Sequence, residues 1–232
     1  MTDVRDRSVV VVGATGGLGR PIAERLSEEG ARLILVGRDD ERLAATGLPG
    51  ERVAVDIRLA ASPARIVETA VSAYGGIDGI VYAAGAVAFG AVGDLPDDVM
   101  IELFTLNTLA PIRLLRAALP VLRDSAAAGH DPFVAHISAI VAEQPQPGMA
   151  AYSASKAALA AYDTAAMREL RREGIRLIDI RPPHTETGLA TRPLAGAAPQ
   201  LPEGLPPDAV ADRIVSAIRE GDKELPAAAF SD

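Results

Sequence analysis

Tyr152 and Lys156 stand four residues apart in Tyr152-Ser153-Ala154-Ser155-Lys156, at the head of a long alanine-rich stretch. Positions i and i+4 share one helix face, so a helix here sets a phenol beside an ammonium. A free tyrosine ionises near pH ~10, and a neighbouring cation favours the phenolate. Lowering that value by about three units requires roughly 4 kcal/mol of differential interaction. Lys156 and a second positive charge are the expected sources. The product is a general acid and base that works near neutral pH. An ordinary surface helix can carry the same two residues, so the rest of the chain has to decide.

The N-terminal segment decides in favour of chemistry. Ser8 to Val12 is a short β-branched run that suits a strand buried on both faces. It leads into Gly13-Ala14-Thr15-Gly16-Gly17-Leu18-Gly19, and a helical pattern follows from Leu18 to Glu29. Strand, glycine-rich turn and helix together make a dinucleotide site. Glycines let the backbone approach a pyrophosphate, and the helix N-terminus offers free N–H groups. The second strand, Arg32 to Val36, ends in Gly37-Arg38-Asp39. An NAD site usually has a carboxylate there, about 20 residues past the loop. Arg38 instead suits a ribose 2′-phosphate by forked hydrogen bonding, which argues for NADP(H). Asp39 keeps NAD open.

Further strands are expected at Arg52–Val55, Gly79–Ala83, Pro132–Ile137 and Arg176–Ile180. Helices are expected at Asp40–Ala45, Pro63–Tyr74, Pro96–Phe104, Thr108–Asp124, Tyr152–Glu173 and Pro207–Glu220. Strands alternating with helices predict an α/β fold, a Rossmann-type doubly wound parallel sheet with helices on both faces. Ligands then bind at the carboxyl ends of the strands. Gly13, Arg38, Asp56, Ala83, Ser138 and Arg181 all fall at or near such ends. One domain over residues 1–232 is expected. Within it, 182–207 holds seven of the 17 prolines and has little periodicity, as expected of an ordered or semi-rigid substrate lid.

With the loop and the Tyr/Lys pair in place, the chain resembles the short-chain dehydrogenase/reductase family from about Arg7 to about Glu220. Gly13-x-x-x-Gly17-x-Gly19 is similar to the family's cofactor loop, with Thr15, Gly16 and Leu18 inside it and Val12 where Thr is usual. Asp56, followed by Ile57, resembles the acidic residue that contacts adenine. Ala83-Ala84-Gly85 resembles an Asn-Asn-Ala-Gly segment without its asparagines. Asn107 resembles the helix asparagine that holds a relay water. Pro182 to Thr187 resembles the Pro-Gly segment beside the nicotinamide, with Thr185 in it, Pro183 for Gly and Thr187 matching the carboxamide-binding Thr. The family's catalytic serine sits thirteen residues before the tyrosine, and 152 − 13 = 139 is Ala. Ser138 is one place early, and one step along a strand points a side chain to the other face. His136, at a family Asn position, reads as a packed strand residue. His184 and Glu186, near the expected nicotinamide, read as solvated loop residues, and Arg192 as a surface arginine.

Composition narrows the classes. A chain of 232 residues with no cysteine can build a full core and has no disulfide or thiol chemistry. The three histidines are scattered, so no metal site is expected. A net charge of −8 and 3% aromatics argue against nucleic acid. No apolar run approaches the ~18 residues of a membrane span, and Met1 to Arg7 is unlike a signal peptide, so a cytoplasmic protein is expected. The many alanines of the Tyr152 helix, with the Thr108–Asp124 helix, resemble the surfaces through which the family forms homodimers and homotetramers.

The resemblance implies an NADP(H)-dependent oxidoreductase acting on a small carbonyl or secondary alcohol. Tyr152 is its acid/base, Lys156 lowers the tyrosine pKa and holds the nicotinamide ribose, Asn107 maintains a proton relay and Ser138 is a second donor. Loss of one such donor costs on the order of 10²–10³ in rate. Ala139 therefore keeps open a catalytically weak or inactive nucleotide-binding sensor or partner protein. Epimerisation or dehydration on the same fold is a third reading.

Overall fold

The computed structural model describes residues 2–230. Seven strands form one parallel sheet in the order β3-β2-β1-β4-β5-β6-β7. They are β1 Ser8–Val12, β2 Arg32–Gly37, β3 Glu51–Ala54, β4 Gly79–Tyr82, β5 Phe133–Ile137, β6 Arg176–Ile180 and β7 Glu224–Leu225. The order reverses between β1 and β4, which opens a crevice at the carboxyl ends of those strands. Six strands are legible in the sequence. The seventh is a two-residue edge strand, too short for any periodicity, and it forms because Asp179 and Ile180 pair with it.

Seven α-helices flank the sheet: α1 Gly19–Glu28, α2 Asp40–Ala44, α3 Ser62–Tyr74, α4 Asp97–Phe104, α5 Ala110–Ala127, α6 Ala150–Leu170 and α7 Pro207–Glu220. The alternation of β1 explains both faces. Val9 and Val11 pack with Ile22 and Leu26 of α1 and with Val210 and Ile214 of α7. Val10 and Val12 pack on the other side with Ile66 of α3, Leu114 of α5 and Leu170 of α6. Strands buried on both faces read as continuous apolar runs for this reason.

One departure from the sequence reading, and one segment read as ordered, bear on the site. The expected helix at Thr108–Asp124 is the second half of a continuous run, because a π-helical turn at Thr105–Leu109 joins α4 to α5. Such turns concentrate at functional positions, since the extra residue re-aims neighbouring side chains. The proline-rich segment has no helix before α7 begins at Pro207, and it is tied down. Thr185 bridges Leu205, Leu194 N donates to Val87 O at 2.8 Å, and Phe89 N donates to Ala195 O at 2.9 Å. Its Leu189, Leu194 and Leu201 pack on a third apolar cluster with Val87, Phe89, Met149 and Tyr152. No described helix is long and apolar enough to cross a membrane.

Candidate active site

The glycine loop is shaped by contacts that leave no space for a Cβ. Gly13 has φ +83°, a left-handed conformation that favours glycine, and its backbone lies against Ala83 and Ala84. A Cβ on Gly17 would sit 2.5 Å from Thr187 O, and one on Gly19 would strike Gly13 O. No side chain caps the N-terminus of α1 and no acidic residue occupies its first turn. Arg20 N donates to Gly16 O and Pro21 has no N–H, so the N–H groups left for an anion are those of Gly17, Leu18 and Gly19.

A cavity of about 940 Å³ runs from this loop along the carboxyl ends of the strands. Gly13, Thr15, Gly16, Gly17 and Leu18 line one part. Arg38, Asp56 and Ile57 line the next, and Ala84 and Gly85 the floor. Ser138, Tyr152, Lys156, Pro182, Thr185 and Thr187 border the far part. Gly19 and Asn107, buried behind this wall, shape it through Gly13 and Ala86. The residues named from sequence thus converge on one crevice.

At the second-strand end, Asp39 caps α2, accepting from Arg42 N at 3.1 Å. Its carboxylate is committed to the helix, while Arg38 is exposed at the cavity edge. Asp56 is held by its own neighbour. Arg58 donates to it from Nε at 2.9 Å and from a terminal nitrogen at 2.6 Å, and Arg58 also pairs with Glu102 of α4. The hydrogen bonds from Arg58 keep the Asp56 carboxyl below its ordinary range. Sequence reading missed Arg58 and Glu102. The Asp-x-Arg spacing was a usable signal for the first, whereas Glu102 is 44 residues away and carries none.

Asn107 sits in the π-helical turn and is 1% exposed. Its Oδ1 accepts from Ala86 N and its Nδ2 donates to Ala86 O, both at 2.9 Å. Nδ2 also donates to Ser155 Oγ at 3.0 Å, and Thr108 Oγ1 donates to Ser155 O at 2.7 Å. Asn107 therefore clamps the loop after β4 to the first turns of α6, the turns that carry Tyr152 and Lys156. Met149 and Tyr152 face the apolar cluster, while Lys156, Leu159, Asp163, Ala166 and Leu170 form the buried stripe against the sheet.

Lys156 is 4% exposed, and its Nζ donates to Ile137 O at 2.9 Å. Burial pulls its ammonium down to about 8 and pushes the Tyr152 phenol up to about 12. The expected lowering of the tyrosine by Lys156 and a second positive charge is not present with Lys156 alone. Desolvation opposes both charged forms and is the largest influence on each. Tyr152 therefore keeps its proton until another charge enters the crevice.

The serine question has a geometric answer. Ser138 is buried, and its Oγ donates to Lys156 O at 3.2 Å, toward α6. Ala139 packs with the apolar cluster around Tyr152. His136 lies behind the crevice, bonded to Asp163 at 2.8 Å and 1% exposed. His184 borders the cavity, with Nε2 3.2 Å from Glu186 Oε1, and Arg192 Nε donates to Gly188 O at 3.0 Å. Among the described residues no group of three or more His, Asp or Glu side chains is placed to hold a metal.

The chain and its fold match known proteins. The model of the short chain dehydrogenase family matches residues 7–195. The chain belongs to the short-chain dehydrogenase family. An uncharacterized oxidoreductase of Staphylococcus epidermidis is 28% identical over 191 residues, 81% of each chain. A short chain dehydrogenase of Burkholderia cenocepacia, solved in complex with NADP, superposes with a TM-score of 0.84 at 24% identity, covering 98% of this chain and 90% of that one. A short chain dehydrogenase/reductase of Burkholderia phymatum, solved in complex with NAD, gives 0.87 at 21% identity, covering 97% and 90%. As a short-chain dehydrogenase the protein is an oxidoreductase, and its single seven-stranded parallel sheet is that of the Rossmann-type fold.

Proposed function

We propose that this chain is an NADP(H)-dependent oxidoreductase that interconverts a carbonyl compound and a secondary alcohol, with Tyr152 as its acid and base. One observation carries the reading: a single cavity joins the uncapped α1 N-terminus, Arg38 and the Tyr152/Lys156 helix at the point where strand order reverses. A dinucleotide fits this donor set. Gly13 to Gly19 would cradle the pyrophosphate and Arg38 the 2′-phosphate. Asp56 and Ile57 would border adenine. Ala84, Gly85 and Lys156 would border the nicotinamide ribose, and Pro182, Thr185 and Thr187 the nicotinamide. The commitment of Asp39 to α2 favours NADP(H) over NAD. The bound nicotinamide supplies or accepts hydride.

The chain's own residues handle the proton. Tyr152 retains its proton in the buried site and can hydrogen-bond a carbonyl oxygen, donating the proton as charge develops there. Lys156 sets a positive charge nearby, Asn107 holds the helix and loop in register, and Ser138 is the second donor only if its hydroxyl turns from Lys156 O. The wall includes Val87, Phe89, Ile140, Met149, Leu189 and Leu194, with Gln146, His184, Arg192 and Glu203 also lining the cavity, which favours a mainly apolar substrate. Segment 182–207 would act as the lid. The exposed Ile101 and Leu109 beside α5 support a homodimer or homotetramer, and we expect a cytoplasmic protein with no nucleic-acid or membrane partner.

Ala139 beside Tyr152 favours a second reading, a nucleotide-binding sensor or partner with little turnover. Titration of NADPH and NADH, followed by oxidation of NADPH across apolar aldehydes and ketones, separates the two. Tight NADPH binding with turnover is the expected result. Binding without turnover on any member supports the sensor, and no binding of either dinucleotide overturns both.

A further inference from the structure

Behind the crevice lies a group of charged side chains that the proposed chemistry does not use. His136 of β5 and Asp179 of β6 are register partners on adjacent strands. Asp163 of α6 lies seven residues, about two turns, beyond Lys156 on the same buried stripe. His136 Nδ1 is 2.8 Å from Asp163 Oδ1, and the Tyr82 ring meets the imidazole edge-on at 6.3 Å between centroids. Asp163 is 0% exposed and Asp179 3%. Among the described residues Asp163 Oδ2 and Asp179 Oδ1 have no hydrogen-bond partner. On the outer side, Asp179 Oδ2 lies 3.3 Å from Arg181 Nε, which Glu143 also approaches at 3.1 Å. Glu224 of β7 meets the same guanidinium at 2.8 Å.

Two buried carboxylates with unpartnered oxygens are costly, and a fold retains them only with a compensating charge. Lys156 has the complementary problem. It is buried, and among the described residues no carboxylate oxygen lies within 4.0 Å of its Nζ. Its Nζ reaches Ile137 O, one residue past His136 on β5, and Asp179 is the register partner of His136, so the Asp179 charge opposes the burial penalty on the ammonium. The other groups around Asp179 act on it with opposite signs. Asp163 and Glu224 push it toward its neutral form, while Arg181 and His136 hold it ionised. With burial dominant, it sits at about 6, so at neutral pH it is mainly a carboxylate.

We propose that Asp179 is a positioning residue of the active site: from β6 it supplies the counter-charge that keeps the buried Lys156 an ammonium, and Arg181 beside it keeps Asp179 able to do so. This rests on the reading that Lys156 belongs to the active site. Its consequence is a limit on the alkaline side. Lys156 must be charged to hold a cofactor ribose and to support Tyr152, so the pH at which that function fades is set by Asp179, which lies outside the crevice.

The chain has two lysines, Lys156 and the exposed Lys223, which makes the test direct. Lysine labelled with carbon-13 at Cε gives two signals in the full chain, with Lys223 as internal reference. The Lys156 midpoint should fall by about half a pH unit or more in Asp179→Asn, stay near the wild-type value in Asp179→Glu, and leave Lys223 unmoved in both. A folded Asp179→Asn protein with an unshifted Lys156 midpoint overturns the proposal. If Asp179→Asn does not fold, Lys156→Met gives the reciprocal reading. In aspartate-labelled protein the carboxyl that titrates highest must then move to higher pH, and an unchanged midpoint overturns the coupling. The alkaline limb of NADPH affinity should move with the lysine signal, whereas a merely structural loss would lower affinity equally at every pH. A shifted lysine signal in a protein that never binds NADPH would sink the functional reading and leave this one standing. NADPH binding with an unshifted lysine would do the reverse.

Discussion

The two ends of the crevice are built by different means. The phosphate-loop end is backbone: glycines packed against Ala83, Ala84 and Thr187, and a helix start with no side-chain cap. The chemical end is side chain. Tyr152, Lys156, Asn107 and Ser138 are buried polar groups whose partners come from β5, the loop after β4, the π-helical turn and α6. Backbone dipoles need little compensation when they bind an anion, because their charge is partial and distributed over many groups. Buried ionisable side chains need partners or they change ionisation state. The first end should therefore answer to shape and the second to charge.

Tyr152→Phe should divide the ends most sharply. Loss of the acid and base is expected to cut turnover about 10²–10⁴-fold, while NADPH affinity stays near the wild-type value. Equal losses in both would merge the two ends. Next is Lys156→Met, read by thermal or denaturant unfolding. Burial lowers the Lys156 value from 10.5 to about 8, so the fold favours the neutral amine. Its contribution to stability is present above about pH 10.5 and is lost as pH falls through about 8. At pH 7 the substitution should therefore stabilise the fold by up to about 3 kcal/mol, less the contribution of the bond to Ile137 O, and the gain should fade as pH approaches 10.5. A gain independent of pH would mean that packing, and not charge, sets the effect.

Gly17→Ala probes shape at the other end. Its Cβ would lie 2.5 Å from Thr187 O, so loop or segment 182–207 must shift, at a cost of roughly 1–3 kcal/mol. NADPH binding should weaken about 10-fold or more with no change in the pH profile. A changed pH profile would show that the ends are electrostatically linked. The smallest expected effect is Ala139→Ser. A hydroxyl added beside Tyr152 should raise turnover about 10-fold, less than the 10²–10³ lost when an optimised donor is removed, because its surroundings were not built for it. No gain would assign the second donor to Ser138 or to the substrate.

The cofactor end was largely readable from the chain. Its loop, the strand before it and the helix after it lie within Ser8–Glu28, so local pattern and local structure coincide. The place of Arg38 at the cavity edge, directly after β2, was legible for the same reason. Asp56 was readable as a position but not as an ion pair, since Glu102 arrives on a helix from another part of the chain. At the chemical end, the Tyr/Lys spacing was visible and the pKa directions were not. A helical wheel places the two residues together, but it contains no measure of burial, and burial is the largest influence on both. The partners of His136 and Asp179 were equally hidden, because strand pairing and α6 packing bring together residues 27 and 43 positions apart in the chain.

What the sequence determined by itself is the set of local patterns: parallel strands read as apolar runs, a glycine loop at the right junction, and a phenol and an ammonium on one helix face. These depend on periodicity and sterics within a few residues, and such interactions are present before the chain is compact. Tertiary structure decided the rest: that Asn107 clamps Ala86 to α6, that Ser138 turns to Lys156 O while Ala139 meets the Tyr152 cluster, and that Asp179 stands in register with His136. Ionisation follows from the water that packing removes and the charges it brings near, and neither exists until distant segments meet.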